Sequence, residues 1–342
     1  MEQYVEYVLD FLTQFGDKQS RLFGLYLASS LAVAYWLYRR RQNSGFAKFL
    51  FPESVWKHPH AWLDVKYFFF HGLLAHFLIR FLGIYGSSVA LSFVAGNALD
   101  PSNLPQSSGI GSLMTALAMG GFCLVAVALV DFVAFYLHLL QHRIPLLWQF
   151  HKVHHAGEVM HPLSNFREHP VDNIVYDFTL GMIYGGVVGA FMLAFGYVPT
   201  MPTIFGIAAI TFVFNMSAYS LRHSHIWLRW PGRWSMVFGS PAHHQVHHSR
   251  HPDHLDKNFA FQFPVWDVLF GTYHMPEDDR DVEFGIVEEA EGLDTCIGLY
   301  VTPFRHAWEI LTRKRDAFGE RPPELDSEMS ELRRRTSKRN TA

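Results

Sequence analysis

The chain has 342 residues, 49% of them hydrophobic and 16% aromatic, and a formal net charge of -3. That charge gives no support to nucleic-acid binding, and two cysteines, Cys123 and Cys296, make neither a disulfide framework nor a thiolate metal motif. The apolar residues lie in blocks, which points to one membrane-embedded unit rather than two soluble domains. Against this background 21 histidines call for an explanation, because each imidazole nitrogen beside a membrane needs a hydrogen-bond partner or a metal.

The N-terminus opens with Glu2, Tyr4 and Glu6 and has no basic region ahead of its apolar run, so it reads as a retained anchor and not as a cleaved signal. A bilayer core of about 30 Å needs roughly 20 apolar helical residues. By that ruler a first span runs from Leu22 to Tyr38 and stops at Arg39, Arg40 and Arg41, which mark the cytoplasmic side. A second runs from Tyr67 to Tyr85, with Arg80 reaching for the headgroups. Residues Asn97 to Ser112 then form a loop on the far side, and a third span from Leu113 to Phe135 delivers the chain to His138. Two more apolar stretches, Ile174 to Phe195 and Thr203 to Tyr219, are broken by Gly196-Tyr197-Val198-Pro199 and read as a hairpin through or into the membrane. The hairpin returns the chain to the cytoplasmic face, where His223 and a cluster at His244 follow. From Arg313 onward the chain is charged and reads as a solvated tail. The expected fold is all-α: a multi-pass membrane helix bundle with a cytoplasmic helical cap carrying a dinuclear histidine site. Its parts are 1–112, anchor helices and loops; 113–275, the catalytic domain; and 276–342, a cytoplasmic segment with the tail.

Three dense clusters carry the chemistry: His138-Leu-Leu-Gln-His142, His151-Lys-Val-His154-His155 and His244-Gln-Val-His247-His248. Residues three and four apart share a helix face, so His138 and His142 project together, with Asp131 one heptad behind on the same stripe. The two H-x-x-H-H groups are expected to converge likewise. A lone pair of histidines is ordinarily a satisfied core or surface group, but repetition at this spacing indicates metal. Eight histidines exceed the ligands one ion can take, which argues for two ions, and an imidazole set suits iron, zinc, copper or nickel alike. His223 is placed to reach the same site. His225 and His243 are weaker candidates: a local hydrogen bond competes for the first, and only His244 keeps the cluster spacing against the second. His161 and His169 precede prolines, which favours extended geometry and a supporting role, although His169 stays among the outer candidates. His71 and His76 do not share a face and read as packing. His58, His60, His251, His254, His274 and His306 read as surface or interfacial.

These motifs, in this order and between these spans, resemble the fatty acid hydroxylase and sterol desaturase superfamily of membrane di-iron enzymes, with some similarity to its alkylglycerol monooxygenase branch. The resemblance covers Asp131 to Tyr273 and includes Leu147-Trp148-Gln149-Phe150 before His151, Asn165-Phe166-Arg167-Glu168-His169-Pro170, Ser240-Pro241-Ala242 before His243, and Asp256-Lys257-Asn258-Phe259 running to Trp266-Asp267 and Tyr273. It departs from the pattern at His225, where many relatives have asparagine, and at Ala156-Gly157-Glu158, where they often have serine. The resemblance implies two iron ions held by His138, His142, His151, His154, His155, His223, His244, His247 and His248, with Asp131 supporting them. It further implies O2 as co-substrate, a lipid substrate and an oxidant able to take hydrogen from an unactivated C–H bond. No dinucleotide fingerprint, cysteine run or haem-attachment motif is present, so electrons are expected from an external donor, a ferredoxin or a b-type cytochrome. The reading is an oxidoreductase that hydroxylates a fatty-acyl, sterol or related chain. Desaturation and ether-lipid cleavage begin with the same hydrogen abstraction, and the motif residues do not separate them. A membrane protein that stores or moves metal is the non-enzyme alternative, disfavoured because the histidines collect at span ends. The expected location is a membrane, a bacterial inner membrane ahead of the endoplasmic reticulum because Asn340-Thr341-Ala342 is no retention signal.

Overall fold

The computed structural model describes residue 16 and residues 20–41, 45–78, 82–95, 113–204, 207–277, 282–287 and 291–312. The expected N-terminal anchor residues ahead of 16, Arg80, the loop from Asn97 to Ser112 and the tail after Arg313 lie outside the described residues. In chain order the helices are α1 (Gly24–Arg41), α2 (Phe46–Leu50), α3 (Glu53–Trp56), α4 (Pro59–Leu78), α5 (Leu82–Ala95), α6 (Leu113–Arg143), α7 (Pro145–His155), α8 (Pro170–Phe195), α9 (Ala209–Met216), α10 (Pro241–His247), α11 (Val265–Phe270) and α12 (Cys296–Thr312). Among the described residues the structure is helical, apart from an antiparallel pair of two-residue strands, β1 (Thr203–Ile204) with β2 (Ile207–Ala208), and an isolated bridge between Ser249 and Phe284.

Among the described residues, two helices are long and apolar enough to cross a membrane: α6 with 31 residues and α8 with 26. Their side chains turn largely outward, as Leu113 at 76% and Leu124 at 72% exposure show. The other expected spans differ for identifiable reasons. The expected span from Thr203 to Tyr219 yields only the 8 residues of α9, about 12 Å at 1.5 Å per residue, because the β1–β2 hairpin takes its start and the left-handed Ala218, φ 63°, follows its end. Helix α4 buries Asp64, Tyr67 and His71, so its first half belongs to the cap instead of facing lipid. Helix α1 carries its arginine triplet inside its last turn.

Helix α5 packs along α8 with almost no side chain between them. A Cβ on Gly86 would strike the Phe178 carbonyl, and one on Gly185 would strike Ser87, while the Ser87 hydroxyl donates to the Gly181 carbonyl at 2.9 Å. Small residues that let backbones touch are the usual solution where lipid removes the hydrophobic drive between helices. Helices α6 and α8 also pack together. The C-terminal end of α6 and the N-terminal end of α8 meet the same cap, where α7, α10 and α12 gather. Helix α12 rests on α7 and α4 through Leu299 and Ala307. It turns an apolar stripe outward, Ile297, Val301, Phe304, Trp308 and Leu311, each 52–70% exposed.

Candidate metal centre

Sharp corners aim the histidines. Helix α6 ends at Arg143 and α7 begins at Pro145, with only the extended Ile144 between them. Proline fits the first helical position because its missing N–H has no partner there anyway. The corner folds α7 back beside His138 and His142. Pro241 starts α10 in the same way after Ser240, which with His243 closes a capping box. Pro170 starts α8 behind His169, whose Nδ1 accepts the Val171 N–H at 3.1 Å.

The result is two groups. His138, His142, His151, His155 and His247 form one, and His154, His223, His244 and His248 the other; within each, the ligating nitrogens lie within 4.8 Å of one another. The groups adjoin: the rings of His155 and His248 stack with centroids 4.2 Å apart. The expected convergence of each H-x-x-H-H triplet is corrected here. On a helix, positions i and i+4 lie about 40° apart in projection while i+3 falls about 60° to the other side. His151 and His155 therefore enter one group and His154 the other. In the second triplet His244 and His248 pair, and His247 crosses over.

Hydrogen bonding fixes which nitrogen faces inward. His138 Nδ1 donates to the Phe259 carbonyl at 2.7 Å, His154 Nδ1 to the Arg167 carbonyl at 3.1 Å and His247 Nδ1 to the Lys257 carbonyl at 2.9 Å. His151 Nδ1 lies 3.2 Å from the Asp172 carboxylate. His223 Nδ1 donates at 3.1 Å to the Ser164 hydroxyl, whose own proton goes to the His161 carbonyl. These acceptors place the proton on Nδ1 and leave the Nε2 lone pair for the centre. There the Nε2 atoms crowd together: His138 to His151 at 3.1 Å, His151 to His155 at 3.2 Å, His223 to His244 at 2.7 Å and His244 to His248 at 3.0 Å. His142 Nε2 and His247 Nε2 are buried with no hydrogen-bond partner. Burial also drives the rings outside the spans toward their neutral form, His154 to about 4 and His247 to about 3. His155, His223, His244 and His248 fall well below the ordinary range for the same reason. His244 differs, since its Nδ1 accepts from Arg222 Nη2 at 3.2 Å and its neutral ring therefore carries the proton on Nε2. The other converging neutral imidazoles offer the environment of a cation, and five plus four donors fit two ions.

The other sequence candidates lie elsewhere. His225 Nε2 donates to the Phe49 carbonyl at 2.7 Å, His243 lies against Ser240 Oγ at 2.7 Å and Ser235 Oγ at 3.3 Å, and His169 joins the α8 cap to the Tyr300 carbonyl at 3.1 Å. None stands in either group. Asp131, expected to support the metal, accepts instead from Gln262 N, Phe263 N and Trp266 Nε1 at 3.2, 3.3 and 2.9 Å. It pins the 262–266 segment to α6, because one heptad of helix, about 10 Å, separates it from His138. The carboxylate beside an imidazole is that of Asp172, which no fixed offset from His151 announces. The carbonyls of Lys257 and Phe259 have no side-chain signature, but Asp256 and Asn258 do: both hold left-handed backbone, φ 58° and 57°, which Asp and Asn tolerate. His58, His60 and Glu158 make a third cluster of opposite character. There both Nδ1 atoms accept backbone N–H bonds, from His60 and Glu158, so the neutral rings carry protons on Nε2 and serve as donors.

Residues 167 and 168 brace the site from behind. Arg167, 1% exposed, pairs with Asp64 of α4 while its carbonyl holds His154. The Glu168 carbonyl accepts from Tyr67 Oη at 2.7 Å, and its carboxylate takes a two-pronged bond from Arg21 at 2.9 and 3.0 Å. Burial alone would raise that carboxyl, yet Arg21 holds it down to about 2.

A helical chain with paired all-histidine groups at the shared end of two apolar helices defines the class. Residues 123–272 match the fatty acid hydroxylase family. Among relatives, zebrafish (Danio rerio) alkylglycerol monooxygenase is 28% identical over 44% of this chain and 30% of its own length. The ornithine lipid hydroxylase OlsE of Rhizobium tropici is 25% identical over 59% and 54%, respectively. Human cholesterol 25-hydroxylase is 32% identical over 51% and 57%. The chain thus spans about a third of the alkylglycerol monooxygenase and just over half of the other two. No solved structure matches.

Proposed function

We propose that the protein is an O2-dependent di-iron membrane oxygenase that hydroxylates a fatty-acyl, sterol or related apolar lipid with electrons from an external donor, a ferredoxin or a b-type cytochrome. The observation that carries this reading is the pair of adjacent imidazole groups, five and four, with one ring nitrogen of each histidine within 4.8 Å of the others in its group. His138, His142, His151, His155 and His247 would hold one iron, and His154, His223, His244 and His248 the other. Iron bound there supplies activation of O2 and cleavage of a C–H bond. The chain supplies the rest. Phe259, Lys257, Arg167, Asp172 and Ser164 orient five of the rings. Phe135 and Phe259, both fully buried, keep water from the α6 side of the site, which protects a reactive oxidant from quenching. The apolar faces of α6 and α8, together with the outward stripe of α12, support a membrane setting, with the histidines proposed at its cytoplasmic surface.

The test is incubation of the purified full chain, loaded with iron, with a lipid extract, labelled 18-O2 and a chemical reductant. A labelled alcohol is expected. An unlabelled alkene would make it a desaturase, a labelled aldehyde with released glycerol an ether-cleaving enzyme, and no O2-dependent lipid product would overturn the oxygenase reading.

A further inference from the structure

The segment Phe259 to Phe263 runs beside α6 between two fixed points. At one end the Phe259 carbonyl holds His138; at the other, Gln262 and Phe263 donate to Asp131. Those two α6 residues are seven apart, so the segment leads from the histidines to a point about 10 Å further along the apolar helix. There Gln262 and Phe263 wall a cavity of about 330 Å³, closed on other sides by Phe214, Ser217, Trp230 and Trp234. No charged side chain lines it, and the Trp230 indole N–H and the Ser217 hydroxyl are engaged by the Gly239 and Val213 carbonyls, at 3.2 and 2.8 Å. Its rim exposes Val213 at 55% and Trp234 at 62%. The neighbouring α11 sets Trp266 and Phe270 against Phe132 of α6, at centroid distances of 5.1 and 6.0 Å, so the Phe263 side of the cavity lies next to α6. On the inner side Phe261 stands 5.5 Å from the His138 ring, centroid to centroid.

We propose that this cavity is the binding site for the hydrocarbon part of the lipid substrate, which enters from the bilayer beside α6. The proposal rests on the oxygenase reading and adds the substrate's disposition to it. Ligand pockets run from roughly 300 to 1,000 Å³, so a cavity at the small end of that range takes one chain or one ring system rather than a whole two-chain lipid. A charged headgroup would find no counter-charge inside and would lose its hydration, so it stays outside while the apolar part goes in. Aromatic walls without a fixed hydrogen-bond pattern select for shape and hydrophobicity alone.

The experiment uses the full iron-loaded chain in nanodiscs of dimyristoylphosphatidylcholine, with palmitic acid carrying a terminal diazirine as the probe. After irradiation, the labelled peptides are identified by mass spectrometry. Label is expected on peptides containing Phe214, Trp230, Trp234 or Phe263. Ile210→Trp and Ser217→Phe, which fill the cavity, should reduce that label and the lipid turnover about tenfold or more at unchanged iron content, with the smaller Ser217→Leu intermediate. Label confined to the outer faces of α6 and α8, or turnover untouched by the fillings, overturns the cavity assignment while leaving the oxygenase reading intact. Should a filled variant lose iron, the labelled peptides of the unaltered chain decide alone. An unaltered chain that takes up label in the cavity yet oxidises no lipid counts against the oxygenase reading instead.

Discussion

His154 and His155 are neighbours in sequence and belong to different groups, and much of the site's logic follows from that divergence. An alanine at His154 removes one of four donors from the smaller group; an alanine at His247 removes one of five from the larger. Each substitution should take iron content from two toward one per chain and abolish lipid oxidation. His225→Ala and His243→Ala should leave both ions in place; metal analysis of the four variants, with retained iron in His154→Ala as the contrary result, checks this. Asp172→Ala frees the His151 ring to turn and should weaken metal binding about 10- to 100-fold, the usual cost of losing a group that orients a ligand. Glu168 gives a pH signature. Its carboxyl is held at about 2 in the folded chain, below the ordinary range, so its stabilising contribution is complete above that range and fades as pH falls toward 2. Glu168→Gln should therefore melt earlier than the unaltered chain near neutral pH and converge with it in strong acid. Equal melting at all pH values would mean that the Arg21 pair contributes nothing. At this scale the gathering of the three histidine clusters was legible from their spacing, and that of His223 from its place after the fifth apolar stretch. Their partners were not: three are backbone carbonyls, and Asp172 reaches His151 only after the chain has turned through Pro162–Phe166 and started a new helix.

Elements position the site through a few junctions that the sequence does announce. Proline at the first helical position appears at Pro145, Pro170 and Pro241, each directly ahead of residues that face the centre. The contact between α5 and α8 depends on Gly86 and Gly185, where any Cβ meets backbone. Gly185→Leu forces the helices apart at a cost of roughly 1–3 kcal/mol or more and should lower the melting temperature of the purified chain. The iron bound per folded molecule should stay the same, because neither glycine touches the histidines. An unchanged melting temperature would show that the two helices are not packed this closely. Hydropathy alone misjudged α4 and the stretch after Gly196. In α4 the apolar run continues through Phe68, Phe69 and Phe70, but Asp64, Tyr67 and His71 find buried partners in Arg167, Glu168 and Tyr300, a tertiary fact no window of sequence contains. After Gly196 the β1–β2 hairpin takes the start of the stretch and leaves α9 only 8 residues, whose Ile210, Val213 and Phe214 wall the cavity instead.

For the whole molecule, the decisive feature is that α6 ends and α8 begins at the same cap, so groups from residues 138 to 248 meet on one side of both apolar helices. The sequence reached that conclusion by counting five crossings; among the described residues only α6 and α8 are long enough to cross, so the convergence rests on the histidine geometry itself, which brings His223, His244 and His248 to His154. The two groups differ in ligand number, five imidazoles against four, and so two bound irons should be electronically distinct. The most direct test is the Mössbauer spectrum of the full chain loaded anaerobically with iron-57. Two quadrupole doublets of equal area, together accounting for two irons per chain, are expected. A single doublet from one iron per chain, or no bound iron at all, would contradict the account.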